Sequence, residues 1–125
     1  MKTILVLDDD PNQLLLYKQE LRSEGYHVIT ARDGITAVKK VDDYLPDLIV
    51  MEIIIPNMAA LESVGRILSN DRKIPIIINT ALSNCNKNFM TWPADAYLIK
   101  SSNLNGLKDK IKELLSDEEI KSFAK

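Results

Sequence analysis

Asp47-Leu48-Ile49-Val50-Met51-Glu52 is the stretch that decides the fold, because an uninterrupted apolar run ends directly in a carboxylate. A continuous apolar run of this length predicts a buried strand of a parallel sheet, which is covered on both faces. A charge is unfavourable in the middle of such a strand. It is tolerated at the carboxyl end, where open α/β sheets place their binding sites. Glu52 therefore marks the predicted functional edge of the sheet.

Two other predicted strands also end in charged residues. Ile4-Leu5-Val6-Leu7 runs into Asp8-Asp9-Asp10, and Tyr97-Leu98-Ile99 runs into Lys100. Parallel strands present their carboxyl ends at the same edge, so we expect these side chains to lie near Glu52. Carboxylates beside one lysine would suit a divalent cation and a phosphate-like group.

Predicted strands and helices alternate along the chain. Five such pairs favour an α/β fold with a doubly wound, five-stranded parallel sheet of order 2-1-3-4-5, whose switch point lies between strands 1 and 3. The predicted strands are Thr3 to Leu7, Tyr26 to Ala31, Leu48 to Met51, Ile76 to Ile78 and Ala96 to Ile99.

The helices are predicted from apolar residues that recur on one face. Proline and glycine mark some helix ends: Pro11 suits a first turn, Gly25 a position just past a helix, and Pro46 a stop. The predicted helices have the apolar positions Leu14, Tyr17 and Leu21; Ile35, Val38 and Val41 on a helix from Gly34 to about Tyr44; Leu61, Val64, Ile67 and Leu68; a weak fourth over residues 84–92; and Leu104, Leu107, Ile111 and Leu114 after a cap at Ser102 or Asn103. Residues 117–125 either extend the last helix or form a tail.

Composition indicates one globular domain. The 125 residues are 46% hydrophobic, and 16 basic against 18 acidic side chains leave a net charge of -2. That balance gives no electrostatic drive toward nucleic acid or anionic membranes. The single cysteine, Cys85, cannot form an internal disulfide, and the first apolar run is too short for a signal peptide or a membrane span. We expect a cytoplasmic protein.

In these motifs the sequence resembles the receiver domain of response regulators, of the chemotaxis type, in two-component signalling. The resemblance covers roughly residues 3 to 115, within a domain of residues 1–116. Each motif alone is weak, but their order, each at a strand end, is specific. The matching stretches are Ile4 to Asn12, Pro46 to Met51, Ile55 to Met58, Thr80-Ala81 and Ala94 to Lys100.

The resemblance implies a function and a set of roles. In that family a histidine kinase passes a phosphoryl group to an aspartate that ends the third strand, and the domain then signals through protein contacts rather than as an enzyme. Glu52 stands at the acceptor position; Lys100 and Thr80 would hold phosphoryl oxygens, and Thr80 and Tyr97 would act as switch residues. A Mg²⁺ ion would be held by Asp8, Asp9, Glu52 and the backbone carbonyl of Ile54, with Asp9 as a direct ligand and Asp8 bound through water.

Three departures from the family pattern change these expectations. Glu52 replaces the acceptor aspartate, and its extra methylene shifts the carboxylate by roughly 1 Å, which in-line transfer tolerates poorly. Ala59-Ala60 replaces a usual Asp-Gly pair, and Ser101 follows Lys100 where a cis-proline is usual. A cis bond before a residue other than proline costs about 2.5–4 kcal/mol, which favours a trans Lys100–Ser101 peptide. Mg²⁺ binding is accordingly expected to be weakened.

Several alternatives remain open from the sequence. Glu52 either imitates a phosphorylated aspartate or marks a degenerate receiver controlled by binding or expression, and an engineered residue at position 52 would fit either. In a plainer interpretation Glu52 is only a salt-bridged rim residue, and Tyr97 is core. A flavodoxin-like cofactor carrier or a small Mg²⁺-dependent phosphatase would share the fold. The first would need a phosphate loop in place of Asp8-Asp9-Asp10, and the second would need Glu52 or Asp8 as its nucleophile.

Overall fold

The computed structural model of the chain describes residues 1–52, 74–81 and 94–123, with side chains up to residue 116. The predicted helices near Leu61 to Leu68 and over residues 84–92 lie outside the described residues, as do Ile54, Ala59 and Ala60. In chain order the elements are β1 (Thr3–Leu7), α1 (Pro11–Ser23), β2 (His27–Ala31), α2 (Gly34–Tyr44), β3 (Leu48–Met51), β4 (Ile76–Thr80), β5 (Ala96–Ile99) and α3 (Asn105–Phe123).

The five strands form one parallel sheet in the order β2-β1-β3-β4-β5, which confirms the predicted topology. The register aligns Leu7 with Met51 across β1 and β3, and Thr80 with Ile99 across β4 and β5. The residues that follow these strand ends therefore emerge side by side at one edge. This alignment brings the predicted site together.

Strand residues alternate between two apolar layers, one on each face of the sheet. Both faces are buried, which is why the strands are apolar runs rather than alternating ones. One layer packs against α2 and contains Leu5, Leu7, Ala31, Ala37, Val41, Ile49, Met51, Ile74, Ile76 and Ile78. The other packs against α1 and α3 and contains Ile4, Val6, Leu14, Tyr17, Leu21, Val28, Leu48, Val50, Ile77, Leu104, Leu107, Ile111 and Leu115.

The buried face of α1 was predicted correctly, whereas that of α2 was partly wrong. Ile35 is 57% exposed, and Gly34, Ala37 and Val41 form the buried face instead. These three positions follow the spacing of one helix face, and Ile35 lies about 100° around the axis from Gly34. Small residues there let the helix approach the sheet closely. On α3, Leu115 rather than Leu114 is the buried member of the pair.

Side-chain caps fix where the helices begin. The carboxylates of Asp10 and Asp33 accept the backbone N–H of Asn12 and Thr36, and Asn103 accepts that of Asn105, so one of the two predicted caps of the last helix is present. Gly25 ends α1 at φ +94°, a left-handed conformation that favours glycine. Among the described elements there is no helix long and apolar enough to cross a bilayer.

Candidate functional site

Backbone hydrogen bonds at the strand ends hold the site residues in place. The N–H of Glu52 donates to Leu7 O at 2.9 Å, and the N–H of Lys100 donates to Thr80 O at 2.7 Å. The ladder thus continues one residue beyond β3 and β5. Side chains at these positions are carried on the rigid sheet rather than on a free loop.

Lys100 is the centre of the site. Its Nζ lies 2.6 Å from Asp8 Oδ2 and 3.0 Å from Glu52 Oε2. Both carboxylates are buried, with 1% and 6% of Asp8 and Glu52 exposed. Three separate strand ends thus bring two carboxylates and one ammonium into a single pocket, as predicted from the sequence.

The two oxygens of Glu52 have different environments. Thr80 Oγ1 donates a hydrogen bond of 2.7 Å to Oε1, and Thr80 itself is fully buried. Oε2 faces Lys100 at ion-pair distance, but it accepts no hydrogen bond from the described part of the chain. Glu52 therefore contacts both groups that the resemblance assigns to phosphoryl oxygens.

The protonation of Lys100 is set by two opposing effects. Burial alone would lower the pKa of the ammonium, but the adjoining carboxylates of Asp8 and Glu52 outweigh it and raise the pKa above its ordinary value. The lysine is therefore charged throughout the physiological pH range. It supplies one positive charge to the two buried carboxylates.

The three consecutive aspartates have three separate roles. Asp8 pairs with Lys100 and also accepts the backbone N–H of Asp10 through Oδ1. The side chain of Asp10 caps α1, and Asp9 is exposed, with its backbone carbonyl accepting a hydrogen bond from Arg32. Only one of the three contributes a carboxylate to the pocket.

The remaining predicted positions lie on or beside β5. Tyr97 is partly buried and packs against the apolar layer under α2. No peptide bond in the described residues is cis, so the Lys100–Ser101 bond is trans. Lys100 nevertheless reaches both carboxylates.

A buried polar pair near the site was not predicted. Asn79 Nδ2 donates a 3.0 Å hydrogen bond to Tyr17 Oη, and both side chains are buried. Burial raises the pKa of the Tyr17 phenol, so the hydroxyl stays neutral. The sequence does contain one sign of this pair. Asn79 carries an amide within the apolar stretch Ile76 to Thr80, and a buried amide needs a hydrogen-bond partner.

The implied ligands have the right chemistry for Mg²⁺ but not the right placement. Carboxylate and carbonyl oxygens suit this ion. Asp8 and Glu52, however, already pair with Lys100, Asp9 is exposed, and Ile54 lies outside the described residues. Within the described ranges no three acidic, histidine or cysteine side chains form a group able to hold a metal. The residues as they stand do not fit the ion, and the ligand roles stay a prediction.

Comparison with known proteins gives consistent matches over nearly the whole chain. The family model described as the response regulator receiver domain matches residues 4–112. The response regulator TrrA of Thermotoga maritima, solved in complex with Mg²⁺-BeF, is 41% identical with a TM-score of 0.84 over 91% of this chain and 99% of that one. A second structure holds TrrA in complex with the histidine kinase ThkA, at 42% identity, a TM-score of 0.83 and coverage of 92% and 99%.

Two further relatives widen the comparison. A CheY-like response regulator receiver domain protein from Methanospirillum hungatei is 31% identical, with a TM-score of 0.88 over 97% of this chain and 98% of that one. The alkaline phosphatase synthesis transcriptional regulatory protein PhoP of Bacillus subtilis is 31% identical over 95% of this chain. That match covers 50% of PhoP, so the chain spans about half the length of this curated relative. The chain belongs to the response regulator receiver domain family of two-component signalling proteins.

Proposed function

We propose that this receiver domain relays a signal through protein contacts, and that Glu52 permanently takes the place of a phosphorylated acceptor. One observation carries the proposal. The Glu52 carboxylate contacts Thr80 through one oxygen and Lys100 through the other, at 2.7 and 3.0 Å. These are the two partners that a phosphoryl group on a shorter acceptor would take.

The same contacts oppose phosphoryl transfer to Glu52. An attacking oxygen needs a lone pair directed at phosphorus and room for the incoming group. Oε1 accepts a hydrogen bond from the Thr80 hydroxyl, and Oε2 faces the Lys100 ammonium. Glu52 is only 6% exposed. A displacement of about 1 Å is enough to slow an aligned reaction strongly. We therefore expect Glu52 to be a poor acceptor.

The hydrogen bond between Thr80 and Glu52 would connect the pocket to the surface around Tyr97. Thr80 ends β4 and is bonded through its backbone carbonyl to Lys100, directly after β5. Tyr97 lies in β5, beside Ile78 in the register. A hydroxyl held toward Glu52 would bias the side chains around Tyr97 to one arrangement, which a partner protein could recognise.

The proposed relay needs an upstream and a downstream partner. The TrrA–ThkA complex supports docking with a histidine kinase or a phosphotransfer protein. PhoP is a transcriptional regulatory protein about twice as long as this chain. We propose that this domain passes its signal to a downstream protein target. We propose that the domain acts in the cytoplasm without catalytic turnover, and that it contacts neither nucleic acid nor membrane directly. Mg²⁺ is expected to bind weakly.

A spectral comparison tests the proposal. In Glu52→Asp the acceptor is restored, so acetyl phosphate with Mg²⁺ should phosphorylate it, whereas the native protein and Glu52→Gln should form no acyl phosphate. Backbone amide NMR signals of Thr80 and Tyr97 in the native protein should match those of phosphorylated Glu52→Asp. They should differ from those of the same variant before phosphorylation and from those of Glu52→Gln.

Three results would contradict this function. If the native signals match those of unphosphorylated Glu52→Asp, Glu52 does not imitate the phosphorylated state, and control by binding or expression is the better explanation. If the native protein gains an acyl phosphate that Glu52→Gln lacks, Glu52 is a working acceptor. Release of phosphate from an aryl phosphate by the native protein, lost in Glu52→Gln, would indicate a phosphatase.

A further inference from the structure

We propose that Lys100 is the built-in counter-cation of the pocket and competes directly with a divalent cation for Asp8 and Glu52. In this interpretation the charge that a metal would supply comes from the chain itself. The inference goes beyond the proposed function because it concerns which cation occupies the pocket, whether or not Glu52 imitates a phosphoryl group.

All four carboxylate oxygens of Asp8 and Glu52 already face a donor or a cation. Asp8 Oδ1 accepts the N–H of Asp10, and Oδ2 lies 2.6 Å from Lys100 Nζ. Glu52 Oε1 accepts the Thr80 hydroxyl, and Oε2 lies 3.0 Å from Nζ. A metal that bound either residue directly would have to displace one of these contacts.

A metal ion bound beside Lys100 would also be repelled by the ammonium. Mg²⁺ binds oxygen at about 2.0–2.1 Å, so an ion on Asp8 Oδ2 or Glu52 Oε2 would lie within a few ångströms of the ammonium. Like charges at that separation repel strongly where water is scarce. Asp8 and Glu52 are almost fully buried, and the Lys100 side chain is only 18% exposed. An ion on either of these two oxygens would therefore have to displace the ammonium.

The length of the Glu52 side chain also favours the ammonium over a metal ion. Its carboxylate reaches Thr80 and Lys100 at once, which fixes the ammonium between Glu52 and Asp8. A shorter carboxylate at position 52 would loosen this arrangement and leave Lys100 bound to Asp8 alone. Glu52 thus strengthens the competition, because a metal bound directly to Asp8 Oδ2 or Glu52 Oε2 would break an ion pair with Lys100.

Calorimetric titration with Mg²⁺ tests the inference on the full chain. Native protein should bind weakly, and Lys100→Met should bind about tenfold or more tightly, because the repelling ammonium is gone. Lys108→Met is the matched control. Lys108 is also 18% exposed and also pairs with two carboxylates, those of Glu20 and Glu24, but these partners are exposed and remote in sequence from the pocket. Its Mg²⁺ affinity should equal that of the native protein.

A second variant keeps the test valid if Lys100→Met fails to fold. Glu52→Asp retains both charges and should bind Mg²⁺ more tightly than native protein. In the same titration the NMR signal of the Lys100 ammonium should shift as the ion displaces it. The inference is overturned if the variants that fold bind Mg²⁺ with the same affinity as the native protein. It is also overturned if the NMR signal of the Lys100 ammonium does not shift when Mg²⁺ binds. Neither result alters the Thr80 and Tyr97 comparison, so the proposed function stands or fails separately.

Discussion

The two edges of the sheet both carry carboxylates, but the carboxylates meet different partners. At the amino edge, Asp47 accepts the N–H of Thr3 at 2.7 Å, and Asp95 accepts the N–H of Ile76 at 2.8 Å. At the carboxyl edge, Asp8 and Glu52 share the ammonium of Lys100. At the amino edge the donors are backbone N–H groups, whereas at the carboxyl edge most of them are the side chains of Lys100 and Thr80.

Among the described residues, this difference separates a structural edge from the edge that carries the candidate site. An acid at the start of a strand finds a backbone donor nearby and becomes part of the ladder. At the carboxyl edge Asp8 keeps one backbone donor, the N–H of Asp10, but its other oxygen and both oxygens of Glu52 face side chains. Asp47 is therefore part of the ladder, whereas the Glu52 carboxylate is held by Lys100 and Thr80.

The largest expected effect comes from removing the cation at the carboxyl edge. Lys100→Met leaves Asp8 and Glu52 buried without a counter-charge. Breaking a buried pair on one side typically costs about 3–5 kcal/mol of unfolding free energy, and the partly exposed ammonium places this case near the lower figure. Urea unfolding followed by circular dichroism measures the loss.

Lys108→Met is the control for that loss. Lys108 links α3 to Glu20 and Glu24 of the α1 region, but these carboxylates can be solvated when the lysine is removed. Its effect on stability should be much smaller than that of Lys100→Met. Equal losses of unfolding free energy in the two variants would show that burial in the pocket does not strengthen the ion pairs of Lys100. That result would contradict the energetic contrast between the two edges.

Alkaline pH should reproduce part of the Lys100→Met effect in the native protein. The pKa of Lys100 is raised in the folded state, so its stabilisation is complete below the unfolded-state value, about 10.4, and is lost as the pH rises through the higher folded value. The Tyr17 phenol, whose pKa burial also raises, titrates in the same direction. The difference in unfolding free energy between the native protein and Lys100→Met isolates the lysine.

The difference in unfolding free energy between the native protein and Lys100→Met should shrink as the pH is raised above about 10.4. Urea unfolding of both proteins at several alkaline pH values measures it. A difference that stays constant to the highest usable pH would show that the lysine stabilises the fold through the packing of its methylenes rather than through its charge.

The sequence was sufficient to predict the sheet order and the meeting of Glu52, Thr80 and Lys100, because parallel topology and strand register bring successive strand ends together. The resemblance gave Asp8 and Asp9 different metal-ligand roles, but the sequence did not indicate which of the two would pair with Lys100. Which of two adjacent acids enters the pocket depends on where the strand stops and the chain turns into α1. The structure places Asp8 inward and leaves Asp9 exposed.

Two other features depended on tertiary packing rather than on local pattern. Ile35 belongs to a plausible apolar stripe, yet the smaller Gly34 and Ala37 let α2 approach the sheet and turn Ile35 outward. The Asn79–Tyr17 hydrogen bond joins residues 62 positions apart, so no periodicity in either segment could indicate it. A buried amide predicts that a partner exists, but not which residue it is.

The smallest expected effect concerns the amino edge. Asp47→Ala removes the acceptor of the Thr3 N–H at the start of β1, in a half-buried position, and should cost about 1.5 kcal/mol of unfolding free energy. Asp47→Asn keeps an acceptor oxygen without the charge and should cost clearly less. Urea unfolding ranks the variants, and Mg²⁺ affinity should equal the native value in both. Equal costs for Ala and Asn would show that the charge of Asp47, rather than its hydrogen bond, stabilises this edge, which would make the two edges alike.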